Sequence, residues 1–140
     1  MILGLGNDLV RIDRIARSLE QFGERFARRI FGPQERAEPA AAAHRPPGLR
    51  ASYFAKRYAA KEACAKALGT GFSAGVFWRD IQVVREPGGR PVLALSGGAL
   101  ARLLALTPPG HAPRLHLSLT DEPPFAAAVV IVEAIPIQGL

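Results

Sequence analysis

The stretch from Ser52 to Leu68 constrains the fold more than any other part of this sequence. It reads as the longest helix of the chain and is crowded with alanine: Ala55, Ala59, Ala60, Ala63, Ala65 and Ala67 all fall within it. Alanine favours the helix, and its small side chain lets a second element approach closely. Gly69 supplies the usual stop. One long, closely packed helix is the expected result.

The residues before it suggest smaller elements. Residues 2–7 read as a strand. Over 11–20, Ile12, Ile15, Ala16 and Leu19 form an i, i+3, i+4, i+7 apolar stripe, with Arg11, Arg14 and Arg17 on the other side. A second short helix is predicted over 22–30, with Phe22, Phe26 and Ile30 inward and Arg25 and Arg29 together at i, i+4. Pro33 fits the first turn of another helix. The segment from Ala37 to Arg50, with its Pro46-Pro47-Gly48, reads as an exposed loop rather than a linker.

After Gly69 the period changes. Ile81 and Val83 alternate with polar neighbours, the turn Pro87-Gly88-Gly89-Arg90 follows, and Val92 to Leu95 answers as the partner strand of a hairpin. Leu100, Leu103, Leu104 and Leu106 suggest a helix stopped by Pro108-Pro109-Gly110. Leu115, Leu117 and Leu119 point one way and His116, Ser118 and Thr120 the other. Phe125 to Val132 is continuously apolar and reads as a buried strand. The order predicts one α+β domain over 1–140, with a mainly antiparallel sheet packed on one long helix.

Charge narrows the partners only to anions. The formal net charge is +6, which suits nucleic acid, acidic proteins or phosphorylated cofactors alike. Of the 18 lysines and arginines, only Lys56, Lys61 and Lys66 are lysine, and all three lie in one short window. That window reads as a place where arginine does not substitute, because a compact charge or a releasable proton is needed. The lone Cys64 excludes an internal disulfide and suits a reducing compartment. No apolar run is long enough to span a membrane, and no basic region precedes the first strand. A cytoplasmic location is therefore expected.

Each chemical signal is weak by itself. Asp8, at the end of the first strand, reads either as a helix cap or as a magnesium ligand, since hard cations take carboxylate oxygens. Glu62 and Lys66, one helical turn apart, read either as a surface salt bridge or as functional groups. Lys61 beside them reads as part of a wet helix face. Gly69-Thr70-Gly71 reads either as ordinary capping or as backbone N–H groups offered to a phosphate. No cysteine and histidine cluster suggests zinc.

Their joint order is more specific. Gly6-Asn7-Asp8 is followed by an arginine-lined helix, then by the block Arg57-Tyr58-Ala59-Ala60-Lys61-Glu62-Ala63-Cys64-Ala65-Lys66-Ala67-Leu68-Gly69-Thr70-Gly71, then by Gly89-Arg90-Pro91 and Leu117-Ser118-Leu119-Thr120. This order resembles the holo-acyl-carrier-protein synthases, the small trimeric branch of the phosphopantetheinyl transferases. The resemblance implies transfer of 4′-phosphopantetheine from coenzyme A to a serine of an acidic acyl carrier protein, in support of fatty acid biosynthesis. It implies Mg2+ held by Asp8 and Glu62, Glu62 as base, and Lys66 at the leaving bisphosphate. It also implies coenzyme contacts from Arg57, Lys66, Gly69, Thr70, Gly71, Pro91 and Thr120, carrier docking on Arg14, Arg25 and Arg29, and a homotrimer with sites between subunits. The family commonly has histidine where this chain has Asp121, so an aspartate there repels coenzyme phosphates unless it turns away or a cation intervenes. Two other readings fit the arginine face: a basic nucleic-acid-binding domain, and a carrier-protein binder without catalysis.

Overall fold

The computed structural model describes residues 1–138. Strand β1 (Ile2–Arg11) leads into α1 (Ile12–Phe22), α2 (Glu24–Ile30) and the short α3 (Pro33–Ala37). Helix α4 (Pro47–Leu68) follows, then the hairpin β2 (Ile81–Arg85) and β3 (Pro91–Leu95), helix α5 (Gly97–Leu106), and the long strands β4 (His111–Glu122) and β5 (Phe125–Pro136). The main sheet is antiparallel in the order β1-β5-β4, and β2 and β3 form a separate pair. The α+β expectation holds.

Helix α4 lies on the inner face of the main sheet, and the alanines let it come close. The strand contributes to this as well. A Cβ on Gly4 would collide with the carbonyl oxygen of Ala67, and one on Gly6 with that of Ala63. Glycine is required at both positions because backbone meets backbone there. Even-numbered residues of β5, from Ala126 through Val130 to Ala134, complete this layer of the core, and Leu115, Leu117 and Leu119 of β4 pack against it.

Several expectations are corrected. Strand β1 runs to Arg11 rather than stopping at residue 7, because β5 pairs with it residue for residue as far as Arg11↔Phe125. Helix α4 starts at Pro47, inside the predicted loop, since proline needs no hydrogen bond at the first helical position. The rest of that segment is pinned: Ala41 is buried, and Arg50 Nε donates to its carbonyl at 2.8 Å. Phe22 is exposed, because α1 continues through it and the new helix begins only after Gly23. Strand β5 is apolar throughout but buried on one face only: Val129 and Phe125 are on the outside. An antiparallel sheet can leave one face uncovered in this way. His116 also lies outside, bound through Nε2 to Glu133 Oε2 at 2.7 Å.

The largest departure is Lys61. It is fully buried, not part of a wet face. Its ammonium donates to Glu35 Oε1 at 2.7 Å, to the Trp78 carbonyl at 3.2 Å and to the Ile81 carbonyl. Glu35, equally buried, also accepts from the backbone N–H groups of Gly32 at 2.9 Å and Val83 at 3.1 Å. Burial pushes the lysine pKa down and the Glu35 charge opposes that shift. This pair ties α3, β2 and the Trp78–Asp80 turn to the middle of α4.

Candidate active site

Strand alternation and helix period decide which side chains meet. Asp8 is an even-numbered residue within β1, opposite Ala128, so it points to the α4 side of the sheet. It caps no helix: Arg11 occupies the N-cap of α1. Glu62 and Lys66 lie one turn apart on α4, in the stretch that crosses the middle of β1 at Gly4 and Gly6. Lys66 Nζ reaches Asp8 Oδ1 at 3.2 Å and the Asn7 carbonyl at 3.0 Å. The ion pair it forms is thus with Asp8, not with Glu62. Glu62 is half-buried, and its pKa is raised, first by burial and then by the Asp8 charge, against the pull of Lys66 and Arg14.

Three residues separated by up to 58 positions therefore share one small space. Two carboxylates that repel one another are a donor set suited to a hard divalent cation. Magnesium is commonly held by one or two carboxylates, with the remaining positions filled by water and substrate phosphate. The donors fit such an ion, although no group of three or more histidine, cysteine, aspartate or glutamate side chains gathers among the described residues.

The loop after α4 has a different use from the one its sequence suggests. Gly69 takes a left-handed conformation and its N–H caps Lys66, while the Gly71 N–H returns to the Ala65 carbonyl at 3.1 Å. Both N–H groups are spent on the helix end, as in ordinary helix capping, so neither is free to cradle a phosphate. The Thr70 hydroxyl donates to the Gly71 carbonyl at 2.9 Å.

Arg57 lies on another side of α4. It is almost fully buried, its guanidinium stands 4.0 Å from the Tyr53 ring centroid, and its Nε has no protein partner. It borders a cleft of about 430 Å3 that Arg45, Lys56, Arg85 and Asp121 also line. The pKa of Arg57 is lowered, mainly by burial. Asp121 is within β4, and its carboxylate pairs with Lys56 Nζ at 3.3 Å. A cation does intervene, and it comes from this chain. Pro91 sits across the hairpin from Arg85. Thr120 is on the outer face of the sheet, away from Asp8 and Glu62 of the same chain.

Arg14, Arg25 and Arg29 are exposed on α1 and α2. Arg25 and Arg29 border a groove floored by Phe22 and Phe26. Arg14 turns inward instead and donates to the Tyr58 hydroxyl at 3.4 Å. Sequence reasoning missed Tyr58, Lys56 with Asp121, and Glu35 with Lys61. Only the first carried a local signal, its i, i+4 spacing to Glu62.

Three comparisons bear on this arrangement. The sequence profile of the 4′-phosphopantetheinyl transferase superfamily matches residues 4–126. A holo-acyl-carrier-protein synthase of Methylobacterium sp. is 61% identical over 135 residues, covering 96% of each chain. The crystal structure of the holo-acyl-carrier-protein synthase from Neisseria meningitidis superposes with a TM-score of 0.77 at 38% identity, over 95% of this chain and 99% of that one. A Bacillus anthracis enzyme of the same name, in complex with coenzyme A (3′,5′-ADP), superposes at 0.71 with 32% identity, over 96% and 98%.

Proposed function

This chain belongs to the 4′-phosphopantetheinyl transferase superfamily, in its holo-acyl-carrier-protein synthase branch, and from that premise we infer that it moves 4′-phosphopantetheine from coenzyme A to a serine of an apo-acyl carrier protein. The other product is adenosine 3′,5′-bisphosphate, and the modified carrier serves fatty acid biosynthesis. The observation that carries the reading is the convergence of Asp8, Glu62 and Lys66 at the junction of β1 and α4.

Asp8 and Glu62 would hold Mg2+, which when bound neutralises charge on the transferring phosphate. Glu62, directly or through one water, takes the proton as the serine oxygen attacks the phosphorus that bears the pantetheine arm. Its raised pKa supports that role, since a base that also binds a proton well is the better acceptor. The bond to the bisphosphate oxygen breaks, and Lys66 stabilises the charge left there. Arg57, with its unpaired Nε in a basic cleft, supports a contact to coenzyme phosphate. Thr70 and Pro91 border the coenzyme, and Gly69 and Gly71 shape the turn beside it.

The carrier docks its acidic helix on Arg14, Arg25 and Arg29, with the apolar floor of Phe22 and Phe26 between the charges. The active form is a homotrimer. Support comes from the outer sheet face, where Leu5, Leu9, Val129 and Phe125 are exposed and on which Thr120 also lies. Light scattering that returned a monomer mass for active enzyme would refute this. No helix among the described residues is long and apolar enough to cross a membrane, and the enzyme works as one domain in the cytoplasm.

One assay tests the function. The protein is incubated with coenzyme A, Mg2+ and an apo-carrier, and the carrier is weighed by mass spectrometry. A mass gain of one phosphopantetheine is expected, and an unmodified carrier overturns the reading.

A further inference from the structure

The mechanism above leaves Tyr58 without a role, although it stands against the proposed base. It precedes Glu62 by four residues on α4, so both side chains lie on one face of the helix. Tyr58 is 9% exposed. Its hydroxyl accepts from Arg14 Nη2 at 3.4 Å, and the Arg14 guanidinium also lies 5.7 Å from the ring centroid. The Glu62 carboxylate lies one helical turn along the same face, and the two groups influence each other: burial and then the carboxylate charge raise the phenol pKa, and the phenol pulls that of Glu62 down against the push of burial. A phenol has one proton to donate and lone pairs to accept, so it can stand between a guanidinium and a carboxylate and serve both.

The ring has little freedom to move. It stacks on Trp78 at 4.9 Å between centroids, and Trp78 stacks on Phe72 at 3.8 Å. The Trp78 carbonyl is held by the buried ammonium of Lys61 at 3.2 Å. Tyr58 is thus backed by Trp78, which Phe72 supports from its other side, and the Tyr58 hydroxyl is directed at charged groups.

We propose that Tyr58 is a positioning residue for Glu62: its hydroxyl, held by Arg14, fixes the carboxylate in the orientation that metal binding and proton transfer require. Arg14 therefore acts inside the active site as well as on the docking surface. The inference rests on the role given to Glu62 above. Partners of this kind set metal affinity because a ligand that must be ordered on binding binds less well.

Tyr58→Phe tests it, since the ring and its stacking remain and only the hydroxyl goes. Mn2+ binding to the free protein, followed by calorimetry, should weaken roughly ten-fold, the lower end for loss of an outer hydrogen bond to a metal ligand. In turnover, kcat should fall while KM for coenzyme A stays the same. Emission from Trp78, the only tryptophan of the chain, and the melting temperature should match wild type. Arg14→Gln should weaken Mn2+ binding in the wild-type background but add nothing to Tyr58→Phe. Unchanged Mn2+ affinity and kcat in Tyr58→Phe overturn the proposal. So do losses that come with altered Trp78 emission, because the role is then one of packing. A wild-type protein that binds Mn2+ but leaves the apo-carrier unmodified overturns the transfer reading alone, and one that binds no Mn2+ overturns the metal assignment and this inference together.

Discussion

Replacing Lys61 by methionine should destabilise the protein severely, and the structure sets the size of the effect. The mutation leaves the Glu35 carboxylate fully buried and without its cation. Removing one partner of a buried pair typically costs about 3–5 kcal/mol. The carbonyls of Trp78 and Ile81 lose their donor at the same time, which favours the upper end. A total stability of about 5–15 kcal/mol is usual for a domain, so a large share would be lost. For a chain of this length, roughly 3–5 °C of melting temperature go with each kcal/mol, which gives a fall of roughly 10–25 °C. The assay is urea and thermal unfolding followed by Trp78 fluorescence. The double variant Glu35→Gln/Lys61→Met should recover part of the loss. It buries no unpaired charge, and the amide oxygen can still accept from Gly32 or Val83, though not from both as the carboxylate does. A melting temperature for Lys61→Met close to wild type, or a double variant worse than either single one, would refute the reasoning.

The metal pair comes next. Asp8→Asn or Glu62→Gln should lower transfer by roughly a hundred- to a thousand-fold, the scale of losing one preorganised electrostatic group, and excess chelator should act likewise on wild type; near-normal mass-spectrometric turnover in any of these would sink the assignment. Reversing Arg25 and Arg29 to glutamate should raise KM for the carrier without changing coenzyme A affinity, and added salt should mimic the change because exposed charges are screened; a double variant that loses coenzyme A and keeps the carrier would show the docking surface to be elsewhere. The Lys56–Asp121 pair is half-exposed, so its effects should be modest: Lys56→Met weakens coenzyme A several-fold, Asp121→Asn tightens it slightly, and the double variant returns near wild type. Calorimetric affinities that simply add across this cycle would mean the two residues act independently.

Much of the fold was legible because it follows from period. Alternation in β2 to β4, the stripe of α1 and the alanines of α4 each identify an element before any tertiary contact is known. The site was legible differently. Asp8, Glu62 and Lys66 are each commonplace, and only their order along the chain drew them together, after which the facing of β1 and α4 explains why they meet. What escaped depends on pairs distant in sequence. Lys61 reads as wet because its charge suggests water, and its partner Glu35 lies 26 residues earlier with no local mark. Asp121 reads as repulsive until Lys56 is seen beside it. The glycines around Thr70 read as a phosphate cradle because sequence does not show that a helix end has already claimed their N–H groups.

The strand order carries a consequence for synthesis. Among the described residues, strand β1 is made before the other four strands, yet its one sheet partner is β5, the latest of them. Asp8 is held opposite Ala128, so for most of translation it rides on an unpaired strand, and contacts so distant in sequence form slowly. A chain released before residue 128 contains Asp8, Glu62 and Lys66, yet Asp8 then sits on a strand held by α4 alone, without its sheet partner. Fragments that end before β5 should therefore transfer far less than the full chain, and a fragment with full activity would show that α4 alone sets the position of Asp8.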